Sequence, residues 1–211
     1  MNQKEIFDID CQQCSRLSSF LSELNQKYPD YHNKPVAPFG DKNARLLVVG
    51  LAPGMHGANA TGRPFTGDHA GILLYETLYK FGFSTQPEAV SINDGLKLID
   101  CRITNAVKCL PPQNKPIGSE VNTCNHFLSS EISTLKKGSV ILALGTLAHN
   151  AVLRALGEKL SAYKFGHENE HQIGKLILLD SYHCSRYNTQ TKRLTEPMFH
   201  NVFKKAKSLL S

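Results

Sequence analysis

No part of the chain approaches the ~20 consecutive apolar residues that a membrane-crossing helix needs, which excludes a helical membrane protein. The opening stretch, Met1 to Cys14, holds three acids and no apolar core of the kind a secretory signal carries. The expected compartment is therefore the cytoplasm. There is no internal repeat and no low-complexity tract, so neither a repeat array nor a disordered tail is expected. Acids are in deficit: 18 Asp and Glu against 24 Lys and Arg leave a net charge of +6. A basic surface favours a polyanionic partner, because contacts to phosphates release counterions. Charge alone is also what a solvated basic face would show. What is present is ordinary for a globular chain. There are 211 residues, 41% hydrophobic and 20% charged, enough for one domain (1–211) with a sizeable core. Six cysteines without an export signal point to metal binding or isolated buried thiols rather than to disulfides.

Periodicity divides the chain into alternating elements. Leu17, Phe20, Leu21 and Leu24 stand at helical spacing within 15–28, and a Pro/Gly-bearing loop follows to Lys42. Residues 45–50 form a short apolar strand and 51–68 a Gly-rich loop. A helix is predicted over 69–82, with Ile72, Leu73, Thr77 and Leu78 facing inward. Residues 101–107 read as a second strand and 110–118 as a Pro-rich loop. Ser119 is placed as the N-cap of a helix running to Lys136. A third strand spans 139–144, a helix lies near 147–156, a fourth strand covers 173–181, a polar loop covers 182–196 and a last helix covers 196–210. This alternation predicts an α/β fold, a three-layer α/β/α arrangement around a four-stranded parallel sheet. In such sheets ligands bind beyond the carboxyl ends of the strands. That places the site on segments 51–68, 105–116, 145–149 and 181–193, where the polar, Gly and Pro residues concentrate.

The first of these segments is Gly50-Leu-Ala-Pro-Gly-Met-His-Gly-Ala-Asn-Ala-Thr-Gly-Arg-Pro-Phe-Thr-Gly-Asp68. Its glycines permit close backbone approach to a ligand. It lacks the Gly-Lys-Ser/Thr ending of a nucleotide-hydrolase phosphate loop. Across these 19 residues it resembles, almost without interruption, the first motif of the type-B (family five) uracil-DNA glycosylases. Family-four relatives carry an acid where this chain has Leu51. The resemblance implies that Phe65 stacks on a flipped base and that backbone amides at Leu51 and Ala52 face its carbonyl oxygen. The plain alternatives are core packing for Phe65 and a helix N-cap for Asp68.

The second segment runs from Thr104-Asn105 through Cys109 to Pro116 and resembles the family again. An Asn amide offers both a donor and an acceptor, so Asn105 can read the edge of uracil. It could equally satisfy backbone groups at a strand end. Asn114, in the Pro-rich part, is a further candidate catalytic residue, though Asn there often only makes a turn. The third segment, Ser181 to Thr195, is similar to the family's His-Pro-Ser region, with Cys184 in place of the proline, a change that could loosen the loop. The resemblance implies that His183 donates a hydrogen bond to the leaving base, where negative charge develops. Ser185 and the residues after it suit phosphate contact and insertion into the gap left by the base. Arg186, Lys192 and Arg193 suit phosphate binding, or are simply a solvated basic loop.

Cys11-Gln-Gln-Cys14 forms one C-x-x-C pair, and fourteen residues separate Cys109 from Cys124. Four thiolates from two segments suit either tetrahedral zinc or a 4Fe–4S cluster. The resemblance implies the 4Fe–4S cluster, with a structural role. Cys101 reads as a small buried hydrophobe. The family likeness further implies an enzyme of base excision repair, expected to be monomeric and nucleoid-associated; no lysine nucleophile is evident, so a monofunctional enzyme is expected. It would act on DNA containing uracil and other deaminated bases such as hypoxanthine and xanthine, with Asp68 orienting the attacking water. The rival expectations are a uracil-only enzyme of the family-four kind, a non-catalytic cluster-bearing DNA-binding module, and a zinc-stapled protein.

Overall fold

The computed structural model describes residues 6–211. Helix α1 (Ser15–Lys27) buries Leu17, Leu21 and Leu24, one stripe at i, i+4 and i+7. Strand β1 (Phe39–Gly40) is followed by β2 (Leu46–Gly50), every residue of which is buried. The long Gly-rich segment contains one helical turn, α2 (Ala58–Thr61), and ends at α3 (His69–Lys80). Then come β3 (Cys101–Asn105), a 3₁₀ turn at Pro112–Asn114, α4 (Gly118–Ser133), β4 (Val140–Leu144) and α5 (Thr146–Ala155). The hairpin β5 (Glu170–Ile173) and β6 (Leu176–Ser181), the short α6 (Arg186–Gln190) and α7 (Glu196–Leu209) complete the chain.

The sheet has six strands in the order β1-β3-β2-β4-β6-β5, not four. The inner four are parallel as predicted, and an antiparallel strand flanks each edge. Both edge strands carry little hydrophobic signal. β1 is only two residues long, and β5 is Glu-His-Gln-Ile with mostly solvent-facing side chains. What reads as one strand over 173–181 is broken by a turn at Gly174, whose φ is +55°. Side chains alternate across the inner strands. Leu47, Val49, Ile141 and Ala143 pack under α1, α4 and α5, while Leu46, Val48, Val140 and Leu142 pack under α3 and α7. Because both faces are covered, the central β2 and β4 are apolar throughout, while β3 and β6 turn polar at Thr104-Asn105 and Asp180-Ser181, their carboxyl ends.

Several predicted boundaries shift. β3 ends at Asn105, two residues early. Ile117, not Ser119, precedes the first turn of α4, and its N–H donates to Glu120 Oε2 at 2.9 Å. That helix stops at Ser133. Ile72 is 59% exposed rather than inward, because α3 turns Gly71, Leu74, Tyr75 and Leu78 to the core, one residue out of phase with it. The polar loop after β6 contains α6, capped by the Ser185 hydroxyl, which accepts from the Asn188 N–H. No helix among the described residues is long and apolar enough to cross a membrane.

Candidate active site

The carboxyl ends of the parallel strands open on a cavity of about 330 Å³. It is lined by Leu51, Ala52, Pro53, Gly54, Ala58, Phe65, Asp68 and Ala70 from the first segment, Asn105 and Asn114 from the second, and His183 and Ser185 from the third. Three of the four predicted segments therefore meet where the alternation of strands and helices places a ligand, while 145–149 contributes no residue to the lining.

Strand register explains the first juxtaposition. Gly50 and Asn105 are paired ends of β2 and β3. A Cβ on Gly50 would lie 2.5 Å from Asn105 Oδ1 and 2.7 Å from the Phe65 ring, so only glycine lets the amide and the ring share this corner. The two loops are then laced together: the Ala106 and Val107 N–H groups donate to the Gly50 and Leu51 carbonyls at 2.9 Å. Asn105 is 3% exposed, and its Oδ1 has no hydrogen-bond partner among the described residues. Its amide is thus not spent on nearby backbone. A buried acceptor left open in this way is costly, and a ligand would relieve it. The Asn105 main-chain carbonyl is held from below by the buried Lys108 Nζ at 2.9 Å, which also donates to Thr104 Oγ1.

Phe65 is buried at a φ of +55°, an uncommon conformation for an aromatic residue. It packs with the core beneath α3 and lines the cavity as well. Its ring stacks against His183, with centroids 6.0 Å apart and planes at 28°. His183 Nδ1 is buried without a partner among the described residues. Burial drives the imidazole pKa down to about 4, so the ring is neutral near pH 7 and keeps one N–H to donate. The loop beneath it is fixed. Asn188 Nδ2 donates to the His183 carbonyl at 2.8 Å, and the fully buried Cys184 directs its thiol to the Ala70 carbonyl at 3.3 Å. In this chain the cysteine in the proline's place ties the loop to α3.

Asp68 is the N-cap of α3, Oδ1 accepting from the Gly71 N–H at 2.9 Å. A Cβ on Gly57 would stand 2.6 Å from Asp68 Cβ and Oδ2, so a glycine again makes room. Burial raises the Asp68 carboxyl pKa above the ordinary range, and the hydrogen bonds from Gly71 and Ala70 N–H partly offset this. Asn114 stands at the rim. It and Gln113 both have φ of +57°, two successive left-handed residues, a conformation Asn tolerates better than most. Ser185 lines the cavity, but Arg186, Lys192 and Arg193 are exposed and do not. Arg193 lies over the Tyr182 ring, 4.8 Å from its centroid.

On the opposite side of the Asn105–Cys109 segment, Cys11, Cys14, Cys109 and Cys124 line one enclosed cavity with Leu17, Val107 and Phe127. All four thiols are free, and the Lys108 N–H points at Cys124 Sγ, 3.3 Å away. Burial, reinforced by the other cysteines, pushes the thiols of Cys14 and Cys109 up. Cys101 is fully buried and belongs to the other core.

The model of the uracil DNA glycosylase superfamily matches residues 37–207, a span that takes in all three cavity-forming segments. The chain belongs to that superfamily. It is 42% identical over 205 residues to a type-5 uracil-DNA glycosylase of Thermus thermophilus, covering 94% of this chain and 93% of the relative. It is 41% identical to one of Pyrobaculum aerophilum, covering 94% and 88%. A type-4 uracil-DNA glycosylase of Thermotoga maritima is 33% identical over 147 residues, 69% of this chain and 67% of that one.

Sequence reasoning passed over several residues that brace this cavity. Lys108 is given no role by the sequence, yet it is 1% exposed. Arg63 lies inside the first segment but gains its meaning from Asp94, which anchors it through Nη1 at 2.8 Å. Nothing in the polar stretch around Asp94 signals that partner. Gly57 and Ala70 had a signal, the density of small residues, but not an assigned task.

Proposed function

We propose that this protein is a monofunctional DNA glycosylase that everts uracil, and also hypoxanthine and xanthine, from DNA and hydrolyses the base–sugar bond, starting base excision repair. One observation carries the reading: an aromatic ring, an unpaired amide acceptor, a neutral imidazole and a carboxylate converge on one cavity from three segments. Duplex DNA hides the reacting bond, so the nucleotide must leave the stack before it is cut. Phe65 would offer the base a stacking face, and Asn105 would read its edge. As the bond breaks, negative charge grows on the base and positive charge on the sugar. A neutral His183 can donate to the base oxygen without forming a cation, and Asp68 can orient water at the sugar. No lysine lines the cavity among the described residues, in keeping with a product that retains an intact strand at an abasic site.

The wider substrate range rests on Leu51, which stands at the cavity wall where family-four enzymes place an acid, and on type-5 relatives that cover nearly the whole chain. The donor set of four cysteines around one cavity fits a 4Fe–4S cluster held by Cys11, Cys14, Cys109 and Cys124. Such a cluster would supply cross-linking between α1, the Asn105–Cys109 segment and α4, not chemistry at the sugar. Arg186, Lys192 and Arg193 are proposed to meet DNA phosphates around the cavity mouth.

The test is base release from duplex oligonucleotides bearing one uracil, hypoxanthine or xanthine, with the wild type beside Asp68→Ala, Asn114→Ala and His183→Ala. Release of all three bases, reduced in the variants, supports the proposal. Release of uracil alone assigns the family-four behaviour, and binding without release marks a non-catalytic module. Visible absorbance at roughly 400 nm, lost in Cys109→Ser, would report the cluster; a colourless protein holding zinc would overturn it.

A further inference from the structure

A second group of donors lies outside the cavity, between α5, β5 and β6. Asp180 Oδ1 is 2.7 Å from His149 Nδ1, and Asp180 Oδ2 is 3.3 Å from His171 Nε2. One ligand atom from each residue lies within 4.8 Å of the others. The Asp180 side chain is fully buried, and those of His149 and His171 are 1% and 14% exposed.

His149 is fixed on its far side as well, with Nε2 3.1 Å from the Tyr163 carbonyl. A carbonyl can only accept, so Nε2 carries the hydrogen. In the neutral ring the lone pair then sits on Nδ1 and faces a carboxylate oxygen, another acceptor. Two acceptors 2.7 Å apart call for a cation between them. A proton would satisfy that one contact. A metal ion would engage both imidazoles and the carboxylate together. Metal-bound histidines are oriented in this way, the outer N–H resting on a backbone carbonyl.

We propose that His149, His171 and Asp180 form a binding site for a divalent ion of the zinc class. Two imidazole nitrogens and one carboxylate oxygen are a donor set that Zn²⁺ accepts, leaving a fourth position for water. Magnesium and calcium prefer all-oxygen sets. The partial exposure of His171 provides a route in. The ion would act as a clamp. It would join a helix and an edge strand, neither close to the other in sequence, to β6 at Asp180. His183 follows Asp180 by three residues, so the clamp would steady the root of the loop that presents it. The site is separate from the four cysteines and stands whether or not the proposed glycosylase activity does.

The experiment uses the purified full chain with its native iron content measured, freed of loose metal by a chelator and titrated with Zn²⁺ alone. The wild type should take up one equivalent. His171→Gln, at the partly exposed edge, should bind at least ~100-fold more weakly, beyond the 10–100-fold typical of losing a supporting partner. In zinc-free buffer it should release base at the wild-type rate. Equal zinc binding by wild type and variant places the ion elsewhere, on the cysteines for example, and overturns the proposal. So does a wild type that takes up none and keeps only a proton between His149 and Asp180. Should the variant misfold, X-ray absorption at the zinc edge of the wild type decides. A shell of N and O at about 2.0–2.1 Å supports the site, and sulfur at about 2.3 Å refutes it.

Discussion

Replacing Gly50 by alanine adds one methyl group and should cripple base release while leaving the fold in place. Gly50 has an ordinary φ, so the new side chain meets no backbone penalty; the conflict is purely one of space. The added Cβ would stand 2.5 Å from Asn105 Oδ1 and 2.7 and 2.8 Å from two atoms of the Phe65 ring. Ordinary contacts of these kinds are about 3.5–4.0 Å, so the amide and the ring must each yield by roughly 1 Å. Neither can do so freely. Asn105 is the last residue of β3, with its carbonyl tied to Lys108, and Phe65 is wedged in the core beneath α3. Overpacking of this sort costs about 1–3 kcal/mol of stability. A misplacement of about 1 Å at a reacting centre costs on the order of 10²-fold in rate. The assay is single-turnover uracil release from a duplex oligonucleotide, with urea unfolding run alongside. Gly118→Ala serves as the control, since nothing lies within 4 Å of its new Cβ at the start of α4, and it should match the wild type in both measurements. If Gly50→Ala released uracil within twofold of the wild-type rate, Asn105 and Phe65 could not both be the groups that hold the base.

Asp68→Asn keeps a competent N-cap, so stability should stay within about 1 kcal/mol, whereas uracil release should fall about 10²–10⁴-fold, the range for a lost general base; equal losses in both would assign Asp68 to the cap alone. His183 titrates at about 4 when folded against 6.5 in the unfolded chain. The unfolded state therefore takes up its proton first as pH falls. The stability tied to His183 is complete above pH 6.5 and is lost between 6.5 and 4, up to about 3 kcal/mol at 1.36 kcal/mol per pKa unit. Urea midpoints measured against pH should drop less steeply for His183→Gln, and parallel curves would show that the imidazole is not buried. Lys108→Met leaves Glu131 Oε2, 3.6 Å away, and the Asn105 carbonyl without their ammonium partner. It should destabilise the protein by about 3–5 kcal/mol, read by urea unfolding, as breaking a buried pair does; a loss under 1 kcal/mol would mean that Arg102 alone, 2.6 Å from Oε1, neutralises Glu131.

The parts of the fold legible in the sequence are those in which a buried face imposes a period. β2, β4 and most of β6 are short apolar runs, and α1 and α7 carry clear stripes, the latter also with Thr195 as cap and Pro197 in its first turn. The edge strands were illegible because an edge needs only backbone pairing, and Glu170-His171-Gln172 advertises no burial. Ile72 misled for a related reason. Apolar character alone marked it as inward, whereas the phase of α3 is set by Gly71 seated under the Phe65 carbonyl and by Tyr75 bonding to the Pro64 carbonyl. The lining of the cavity was legible where a continuous local motif names its residues, as with Phe65, Asp68, Asn105 and His183. It was illegible where partners are distant and common: Arg63 with Asp94, Lys108 with Glu131, His149 with Asp180.

Lys108 links the cysteine cavity to the candidate site at the strand ends. Asn105, Lys108, Cys109 and, across the cavity, Cys124 form one short circuit. The Lys108 side chain runs back to hold the Asn105 carbonyl, while its main-chain N–H points to Cys124 Sγ. Beyond β3 this segment is braced by the Ala106 and Val107 N–H groups bonding to Gly50 and Leu51 and by the Val36 N–H bonding to the Lys108 carbonyl, and it carries the amide that keeps an open acceptor. A preorganised acceptor is useful only if its own backbone cannot relax toward a cheaper partner. The ammonium secures one end of the segment, and a group bound by Cys109 and Cys124 would secure the other. A redox role is not needed to explain such a group. A spectroscopically intact cluster with a displaced Asn105, as Lys108→Met should give, would lower base release without changing the cluster's visible absorbance. A loss of both together would show that Lys108 serves the thiolates first and the amide second.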